Sequence, residues 1–568
     1  MRQRIAEQVA ELRTERQGRR GSLAWRFLKE ARANAGRPAV LDSTGADLDY
    51  RKLMVGALCL RDALRARLGD ERAVAVLMPP GAGGALMNIA LALDGRTSVN
   101  LNYTMSNADL AAMCETAGVR HVITARRFLS GLDRPSPLEE ERTVLLEDVR
   151  GDISTGGKLK YLALSFLPGV WLANLLAPRG DGRQAESEEV ATIIFSSGST
   201  GVPKGVMLTH SNVLSNVQSV LEVISLGPGD GVLGVLPFFH SFGYTITLWA
   251  TVLSGARGVY HVNPLEAKVV GELSQRGGVT ITIATPTFYQ SYLRRCTPEQ
   301  FAGIRVALSG AQKLSQGLAD AWEEKFGSEL MEGYGCTEAA PVVSANLPGG
   351  ADLAPRKRGH RPGSIGRPIP GVVVKIVDAD LYPGQTVERP PGESGLILVK
   401  GPNVMKGYVG MPEKTAEVLR DGWYTTGDIG YLDRDGFLFI TDRLSRFSKI
   451  GGEMVPHGRV EEVIENLMFE LIGPGAAASE GADEDGGAVP ELAVTAVEHE
   501  SKGERLIVLH TPMPFDLQDL KDRLGESDLP ALFRPAAGAW IEVAELPKLG
   551  TGKLDLRALS ELARRLAG

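Results

Sequence analysis

The chain has 568 residues, 43% of them hydrophobic and 23% charged, which is the composition of an ordinary globular protein. This length exceeds what one hydrophobic core usually serves, so we expect several domains or lobes. A net charge of −7 argues against nucleic acid as a partner, because its phosphates would be repelled. The four cysteines (Cys59, Cys114, Cys296 and Cys336) form no CxxC pair, which argues against a disulfide framework and a structural zinc site.

The amino-terminal stretch Met1–Arg37 is basic, with ten Lys or Arg residues against four Glu. It lacks the apolar core of a signal peptide, so we expect a cytoplasmic location. Its charge has two open interpretations: a solvated helix with internal ion pairs, or a surface that meets anionic lipid or an acidic partner.

The segment Tyr161–Leu176, YLALSFLPGVWLANLL, carries no charge and is flanked by Lys158, Lys160 and Arg179. It is interrupted by Pro168–Gly169 and is shorter than the ~20 residues that a membrane span needs. One interpretation is a buried helix–turn–helix. The other is shallow peripheral docking on the inner face of a membrane.

Short apolar runs such as AVAVLMPP, VATIIFSS and TITIATPTF alternate with helical patterns through the first two thirds of the chain. In one helical pattern Val213, Val217, Leu221 and Ile224 fall on one face. This alternation predicts α/β layers with buried, largely parallel strands. Short strands between Pro/Gly turns over residues 367–431 predict a small β-rich subdomain.

We predict a large amino-terminal domain over residues 1–442 and a small, mobile α+β carboxy-terminal lobe over residues 443–568. Within that lobe the acidic, low-complexity stretch 473–491 is predicted to be a flexible surface insertion. The spacing of Leu556, Leu559, Ala563 and Leu566 predicts an amphipathic terminal helix.

The glycine-rich stretch FSSGSTGVPKG covers residues 195–205. A Walker A loop would lead directly into a helix, whereas Lys204 precedes GVMLTH, which predicts a strand and excludes a P-loop NTPase. The GxGxxG at Gly229, Gly231 and Gly234 also precedes a predicted strand. Glycines, hydroxyls and a lysine nevertheless suit a phosphate, so composition leaves a phosphate-binding loop and a plain mobile loop both open.

Six motifs in chain order resemble the signatures of adenylate-forming enzymes, which include acyl-CoA synthetases, firefly luciferase and nonribosomal-peptide adenylation domains. They are FSSGSTGVPKG, PFFHSFGY, EGYGCTE, GWYTTGD, ITDRLSR and LPKLGTGKLD. The resemblance extends along nearly the whole chain and implies a two-step reaction. A carboxylate attacks the α-phosphorus of MgATP to give an acyl-adenylate and pyrophosphate, and a thiol then displaces AMP.

The resemblance also implies which residues bind ATP. The loop that grips the β- and γ-phosphates comprises Ser196, Ser197, Gly198, Ser199, Thr200, Gly201 and Lys204. The segments beside adenine comprise Gly310, Ala311, Gln312, Gly333, Tyr334 and Gly335. Tyr334 is expected to stack on the base, and Asp428 and Arg443 to hold the ribose.

For catalysis, the resemblance implies that Lys553 bridges the carboxylate and the α-phosphate and that Thr337 donates to the α-phosphate. Glu338 is expected to bind Mg²⁺, which prefers hard oxygen ligands. His240 is expected to form the wall of the acyl pocket, although a core histidine is the alternative. Ser445 occupies the hinge position, where relatives usually carry Lys or Asp, and this departure puts the role of the hinge residue in doubt.

The stretch RFSKIGGEMVPHGRVEEVI resembles the acyl-[acyl-carrier-protein] synthetase half of the bacterial 2-acylglycerophosphoethanolamine acyltransferase. None of the eight histidines has Asp five residues later, so we do not expect that protein's acyltransferase domain. The implied substrate is a medium- or long-chain fatty acid, and the implied acceptor is acyl carrier protein. A long-chain fatty acid–CoA ligase is the alternative.

Basic residues could serve an acidic carrier protein as a docking face, or they could be ordinary solvated surface. They are Arg443, Arg446, Lys449 and the run Arg356–Arg361. A non-catalytic relative that only binds lipid is disfavoured, because Lys553 and Glu338 are both present.

Overall fold

The structure is a computed structural model. It describes residues 21–178, 187–196, 203–348, 359–379, 381–443, 446–450, 453–476, 490–499, 503–548 and 554–567. Within these ranges no helix is both long enough and apolar enough to cross a membrane.

The strands follow one another in chain order. They are β1 (Pro38–Asp42), β2 (Asp47–Asp49), β3 (Ala73–Val76), β4 (Thr97–Asn100), β5 (Val122–Thr124), β6 (Thr143–Leu145), β7 (Val190–Ser196), β8 (Lys204–Thr209), β9 (Gly231–Gly234), β10 (Arg257–Tyr260), β11 (Ile281–Ala284), β12 (Val306–Ser309), β13 (Leu330–Gly335), β14 (Val342–Ala345), β15 (Arg367–Pro368), β16 (Val373–Val377), β17 (Gly395–Lys400), β18 (Gly407–Tyr408), β19 (Leu419–Arg420), β20 (Trp423–Leu432), β21 (Leu438–Arg443), β22 (Phe447–Ile450), β23 (Glu453–Pro456), β24 (Leu492–His499), β25 (Gly503–His510) and β26 (Trp540–Glu542).

The α-helices are α1 (Leu23–Ala33), α2 (Tyr50–Leu68), α3 (Ala82–Leu93), α4 (Asn107–Thr116), α5 (Arg126–Gly131), α6 (Leu146–Gly151), α7 (Thr155–Leu164), α8 (Gly169–Leu176), α9 (His210–Ile224), α10 (Thr251–Ser254), α11 (Ala267–Gly277), α12 (Pro286–Arg295), α13 (Pro298–Phe301), α14 (Gln316–Phe326), α15 (Pro412–Val418), α16 (His457–Ala476), α17 (Leu517–Glu526) and α18 (Leu556–Ala567). A π-helix covers Gly243–Ala250, and a 3₁₀ turn covers Thr337–Ala339.

Two largely parallel sheets form the layers of the amino-terminal part. One has the strand order β18-β8-β7-β4-β3-β5-β6, and the other has the order β15-β14-β13-β12-β11-β9-β10-β1-β2. In the larger sheet the strands from β1 through β10, β9, β11 and β12 to β13 are parallel neighbours. Strand β11 is buried along its whole length, as a strand between two helical layers must be. The predicted α/β layering is confirmed.

Two smaller sheets follow. Strands β16, β17, β19, β20 and β21 form an antiparallel sheet, which is the predicted β-rich subdomain. Strands β22 to β26 form a second small sheet, on which α16, α17 and α18 pack. The expected fold class is therefore confirmed, whereas the exact domain boundary at residues 442 and 443 stays a prediction.

Helix α9 shows why its segment folds as predicted. Thr209 caps its first turn in a reciprocal capping box with Asn212, and Ser225 ends it in the left-handed conformation. Val213, Val217 and Ile224 are buried along one face, as their spacing predicts.

The carboxy-terminal predictions need two corrections. Helix α16 continues through Ala476, so the first four residues of the predicted flexible insertion 473–491 are helical, and residues 477–489 lie outside the described part. In α18, Leu559 and Ala563 are buried as expected, but Leu566 is exposed because it lies in the last turn.

The uncharged segment forms a helix–turn–helix from α7 and α8. Tyr161, Leu172 and Ala173 are buried against the rest of the protein. The opposite side is exposed, contrary to the buried interpretation, and we call it the hairpin face. It consists of Leu159, Leu162, Phe166, Val170, Trp171 and Leu175.

Candidate active site

A cavity with about 790 Å³ of empty space, part of it open to solvent, lies at the carboxyl ends of β12 and β13. Ligands of open α/β sheets bind at this edge, because the loops that follow parallel strands converge there. Seven of the predicted site residues line it. They are His240, Gly310, Ala311, Gly333, Tyr334, Gly335 and Thr337.

One wall of the cavity is apolar. Its apolar lining includes Val220 and Ile224 from α9 and Ile246 from the π-helix. Val342 and Ile369 also contribute to it. A hydrocarbon chain against this wall would be removed from water, which is favourable by about 0.8 kcal/mol for each buried CH₂ group.

His240 lines the same cavity. Its Nδ1 atom accepts a hydrogen bond of 3.3 Å from the backbone N–H of Phe242. The imidazole is therefore held against the wall of the cavity, and its role there stays a prediction.

The predicted ribose ligands are already bonded to protein groups. Tyr334 Oη donates a hydrogen bond to Asp428 Oδ2, and Arg443 Nε lies 2.9 Å from Asp428 Oδ1. Burial and the neighbouring Asp428 carboxylate raise the pKa of Tyr334, so the phenol stays protonated as a donor. An ionised carboxylate has about four acceptor positions, so Asp428 has capacity for the two hydroxyls of a vicinal diol.

Glu338 is buried directly after β13. Its Oε1 atom accepts a hydrogen bond of 2.9 Å from Tyr408 Oη, and its backbone carbonyl accepts one of 2.8 Å from Met405 N. The neighbouring Thr337 hydroxyl lies 3.4 Å from Ser241 Oγ. The carboxylate is thus held in one orientation beside the cavity.

The fit of a magnesium ion follows from the donor set. In the described ranges no group of three or more His, Cys, Asp or Glu side chains could hold a metal ion. Mg²⁺ is usually bound by one or two carboxylates together with substrate phosphates and water, so the single Glu338 carboxylate fits that pattern.

The two ends of the predicted phosphate loop belong to a β-hairpin. Ser196 at the end of β7 pairs with Lys204 at the start of β8, which confirms the strand that excludes a P-loop. Lys204 Nζ lies 5.3 Å from the centre of the Tyr408 ring. Since Tyr408 also bonds Glu338, one side chain connects the loop lysine to the predicted metal ligand.

Several predicted residues lie outside the described part of the chain. They are Ser197, Gly198, Ser199, Thr200 and Gly201 of the loop, the hinge residue Ser445, and Lys553. Their places relative to the cavity stay predictions.

The segment after β12 is bent in the way that binding loops often are. Ala311 adopts a φ of 71°, which is uncommon for a residue with a side chain. Next to it, the side-chain oxygen Oε1 of Gln312 accepts a hydrogen bond of 3.3 Å from Thr287 Oγ1. At the end of β13, a Cβ on Gly335 would lie 2.3 Å from the Pro341 carbonyl oxygen, so only glycine fits there.

Three site residues escaped the sequence predictions: Tyr408, Ser241 and Ser309. Tyr408 belongs to none of the recognised motifs. The pairing of β18 with β8 brings it to Glu338. The Ser309 hydroxyl is buried on the cavity and has no hydrogen-bond partner among the described residues. A buried hydroxyl of this kind calls for a partner from water or a ligand, which suits a polar ligand at this end of the cavity.

The described arginines of the expected basic docking face form ion pairs within the protein, and the docking face itself stays a prediction. Arg361 forms ion pairs with Asp433 and Asp435, and Arg446 forms one with Glu461. These guanidinium groups are neutralised within the protein. Residues 356–358 of the same basic run lie outside the described part, as does the side chain of Lys449.

The chain is similar to known enzymes in sequence and in structure. The model of the AMP-binding enzyme family matches residues 27–409. A long-chain-fatty-acid–CoA ligase of Bacillus subtilis (strain 168) is 33% identical over 383 residues, which is 66% of this chain and 62% of that ligase. This chain thus matches less than two thirds of that relative. A long-chain-fatty-acid–CoA ligase of Yersinia pestis is 30% identical over 471 residues, which is 78% of this chain and 81% of that ligase.

Solved structures share the fold. The o-succinylbenzoate CoA synthetase MenE of Bacillus subtilis, in complex with ATP and magnesium ion, is 25% identical with a TM-score of 0.73. The alignment covers 95% of this chain and 99% of that one. ATP-bound MatB of Rhodopseudomonas palustris is 24% identical with a TM-score of 0.75, covers 94% and 97% of the two chains, and supports the fold alone.

The fold and the cavity are those of an adenylate-forming enzyme. The chain belongs to the AMP-binding enzyme family. It is an ATP-dependent acid–thiol ligase.

Proposed function

We propose that this enzyme is a fatty acid–CoA ligase, which converts a medium- or long-chain acid, ATP and CoA into acyl-CoA, AMP and pyrophosphate. The observation that carries the proposal is the apolar lining that α9 and the π-helix give to the cavity. Thr337 and Tyr334 line the same cavity. The names of the two bacterial relatives support the same substrate class.

In the first half-reaction the carboxylate of the acid attacks the α-phosphorus and pyrophosphate leaves. Negative charge gathers on the phosphate oxygens, so donors placed in advance lower the barrier. We assign Thr337 and Lys553 to the α-phosphate, Lys204 with residues 196–201 to the β- and γ-phosphates, and Asp428 with Arg443 to the ribose. Mg²⁺ held by Glu338 would neutralise phosphate charge when bound.

In the second half-reaction the thiol attacks the carbonyl carbon of the adenylate and AMP leaves. We propose that residues 443–568 act as a lobe that turns about Ser445 between the two steps, which would exchange the groups facing the cavity. A peripheral membrane contact would suit this reaction, because a long-chain acid partitions into lipid.

The acceptor thiol is proposed to be that of CoA. Both bacterial relatives are named as CoA ligases, and Arg361 and Arg446, two arginines that could meet an acidic carrier protein, form ion pairs within this chain. The carrier protein is retained as an alternative outcome of the test.

The test measures thioester formation from labelled palmitate and MgATP with either CoA or holo-acyl carrier protein. Product with CoA is expected, and product only with the carrier protein would assign the other acceptor. Lys553→Ala is expected to abolish adenylate formation, and Lys548→Ala serves as the matched control, because Lys548 pairs with Glu491 in the same stretch. An unchanged rate in the Lys553 variant would overturn the proposed mechanism.

A further inference from the structure

The hairpin face concentrates the exposed apolar surface of the protein. The described part of the chain has ten exposed large hydrophobic side chains, and six of them form this face. Trp171 is 68% exposed and Leu175 is 56% exposed. Single exposed apolar residues are ordinary, but such a cluster marks a surface that meets another apolar phase.

The inner side of the hairpin is bonded firmly to the body of the protein. Arg32 Nε donates a hydrogen bond of 2.9 Å to the carbonyl of Leu167 in the turn. Arg61 donates bonds of 3.1 Å and 2.8 Å to the carbonyl of Leu176 and to Tyr161 Oη. The hairpin face cannot turn inward without breaking these bonds, so its exposure is a property of the fold.

Within the hairpin itself the charged side chains are all basic, although Asp62 of α2 accepts a hydrogen bond from Tyr161 on the inner side. No Asp or Glu occurs over residues 153–178, and Lys158 and Lys160 are both exposed on α7. The chain as a whole carries −7, so a segment with lysines and no acidic residue departs from the average charge of the protein. A tryptophan among aliphatic side chains, with lysines beside them, is the pattern of segments that lie in a membrane interface.

We propose that the hairpin face docks on a bilayer that contains anionic phospholipid. Trp171 and Leu175 would enter the interfacial region, while Lys158 and Lys160 meet the phosphates of the headgroups. A second copy of this chain fits the face less well, because a two-fold contact through it would bring the lysines of both copies together. The inference goes beyond the proposed reaction, since it concerns where the enzyme works.

The experiment is co-sedimentation of the full chain with vesicles of phosphatidylcholine, with and without phosphatidylglycerol. Trp171→Ser/Leu175→Ser is expected to lower the partition coefficient at least about tenfold, because two large apolar side chains are lost from the interface. Lys158→Glu/Lys160→Glu is expected to remove the preference for phosphatidylglycerol.

The matched control is Leu265→Ser, since Leu265 is 55% exposed but lies away from the hairpin, between β10 and α11. It should bind vesicles like the wild type. Unchanged binding of the Trp171/Leu175 variant, or failure of the wild type to bind either vesicle, would overturn the proposal. So would a wild-type dimer in lipid-free sedimentation velocity that the variant loses, because the face would then serve a second copy.

Activity is followed separately in the same variants, as pyrophosphate release with octanoate, which needs no membrane for delivery. It should equal the wild-type rate. Absence of fatty acid activation in the wild type would contradict the proposed function. The vesicle experiment would then still test the docking of the hairpin face, because it does not depend on activity.

Discussion

At the scale of single residues, the site depends on side chains that hold other side chains. Tyr408 bonds the Glu338 carboxylate and also lies beneath the Lys204 ammonium group. Tyr334 bonds the Asp428 carboxylate in a similar way. Both carboxylates that we propose as ligand-binding groups are thus held by a tyrosine, as electrostatic preorganisation would require.

The first prediction concerns Glu338. Glu338→Gln should lower the rate of ATP–pyrophosphate exchange by about 100-fold, because a charge that holds the metal is lost. Tyr408→Phe should lower it by less, about tenfold, and raise the Mg²⁺ concentration needed for half-maximal rate, because the carboxylate loses its orientation.

The control for this pair is Tyr431→Phe, since Tyr431 stacks on Phe439 in the small antiparallel sheet. It should leave both the rate and the Mg²⁺ dependence unchanged. A Tyr408 variant with normal Mg²⁺ dependence would remove this tyrosine from the site.

The second prediction concerns Glu332, which is buried on β13. Burial raises the pKa of Glu332 from 4.5 to about 8. Between these values the folded chain keeps a proton that the unfolded chain releases, so stability falls as pH rises through this window. Glu332→Gln stays neutral and should raise the free energy of unfolding at pH 7 by on the order of 3 kcal/mol.

Thermal unfolding followed at about pH 5 and about pH 8 checks this sign. The increase in melting temperature of the variant over the wild type should be larger at the higher pH than at the lower one. An equal gain at both pH values would mean that Glu332 does not titrate in this window.

At the scale of elements, helix α9 serves both the core and the site. Its buried Asn216 pairs with the backbone of Val342, donating from Nδ2 to the carbonyl at 2.8 Å and accepting from N–H at 3.2 Å. Asn403 Nδ2 donates to the Ala339 carbonyl at 2.7 Å. Together these amides hold the turn that follows Glu338.

The third prediction is that Asn216→Ala destabilises the protein by about 1–3 kcal/mol, because the buried N–H of Val342 loses its side-chain acceptor and the Val342 carbonyl keeps only the bond from Asn403. Adenylation should fall as well, since the turn carries Glu338. Urea denaturation and pyrophosphate exchange measure the two effects. Gln218→Ala on the same helix breaks an exposed bond to Glu222 and should change stability by less than about 0.5 kcal/mol.

At the scale of the whole molecule, polar contacts among the described residues join α16 of the predicted carboxy-terminal lobe to the body. Lys313, after β12, lies 2.8 Å from Glu462 on α16. Gly458 N donates a hydrogen bond of 2.8 Å to Asp442 Oδ2 at the end of β21. Burial raises the pKa of Asp442 to about 6, so this acceptor becomes fully charged only above that pH. Both contacts would have to break if the lobe turns as proposed.

The fourth prediction is that Lys313→Glu loosens this contact. Backbone amides of α16 should exchange hydrogen faster, while global stability changes by less than about 1 kcal/mol, because the pair is partly exposed. The charge-swapped pair Lys313→Glu/Glu462→Lys should restore slow exchange. Lys414→Glu, which breaks an ion pair within α15, is the control and should leave α16 unchanged.

Local patterns determined much of this protein. Three kinds of feature could be predicted: the strands formed by the apolar runs, helix α9, and the six motifs. They are local, because side-chain periodicity and turn chemistry act over a few residues. The same motifs indicated ATP and the adenylating chemistry. The stretch RFSKIGGEMVPHGRVEEVI indicated a carrier-protein acceptor, which the relatives do not support over CoA.

Only the tertiary structure decided which groups meet. Tyr408 reaches Glu338 across 70 residues, and Tyr334 reaches Asp428 across 94. The apolar sequence of α7 and α8 fits both a buried and an exposed hairpin. The bonds from Arg32 and Arg61 decide which side of the hairpin faces outward. Such contacts depend on how distant segments pack, and a local pattern carries no information about its distant partner.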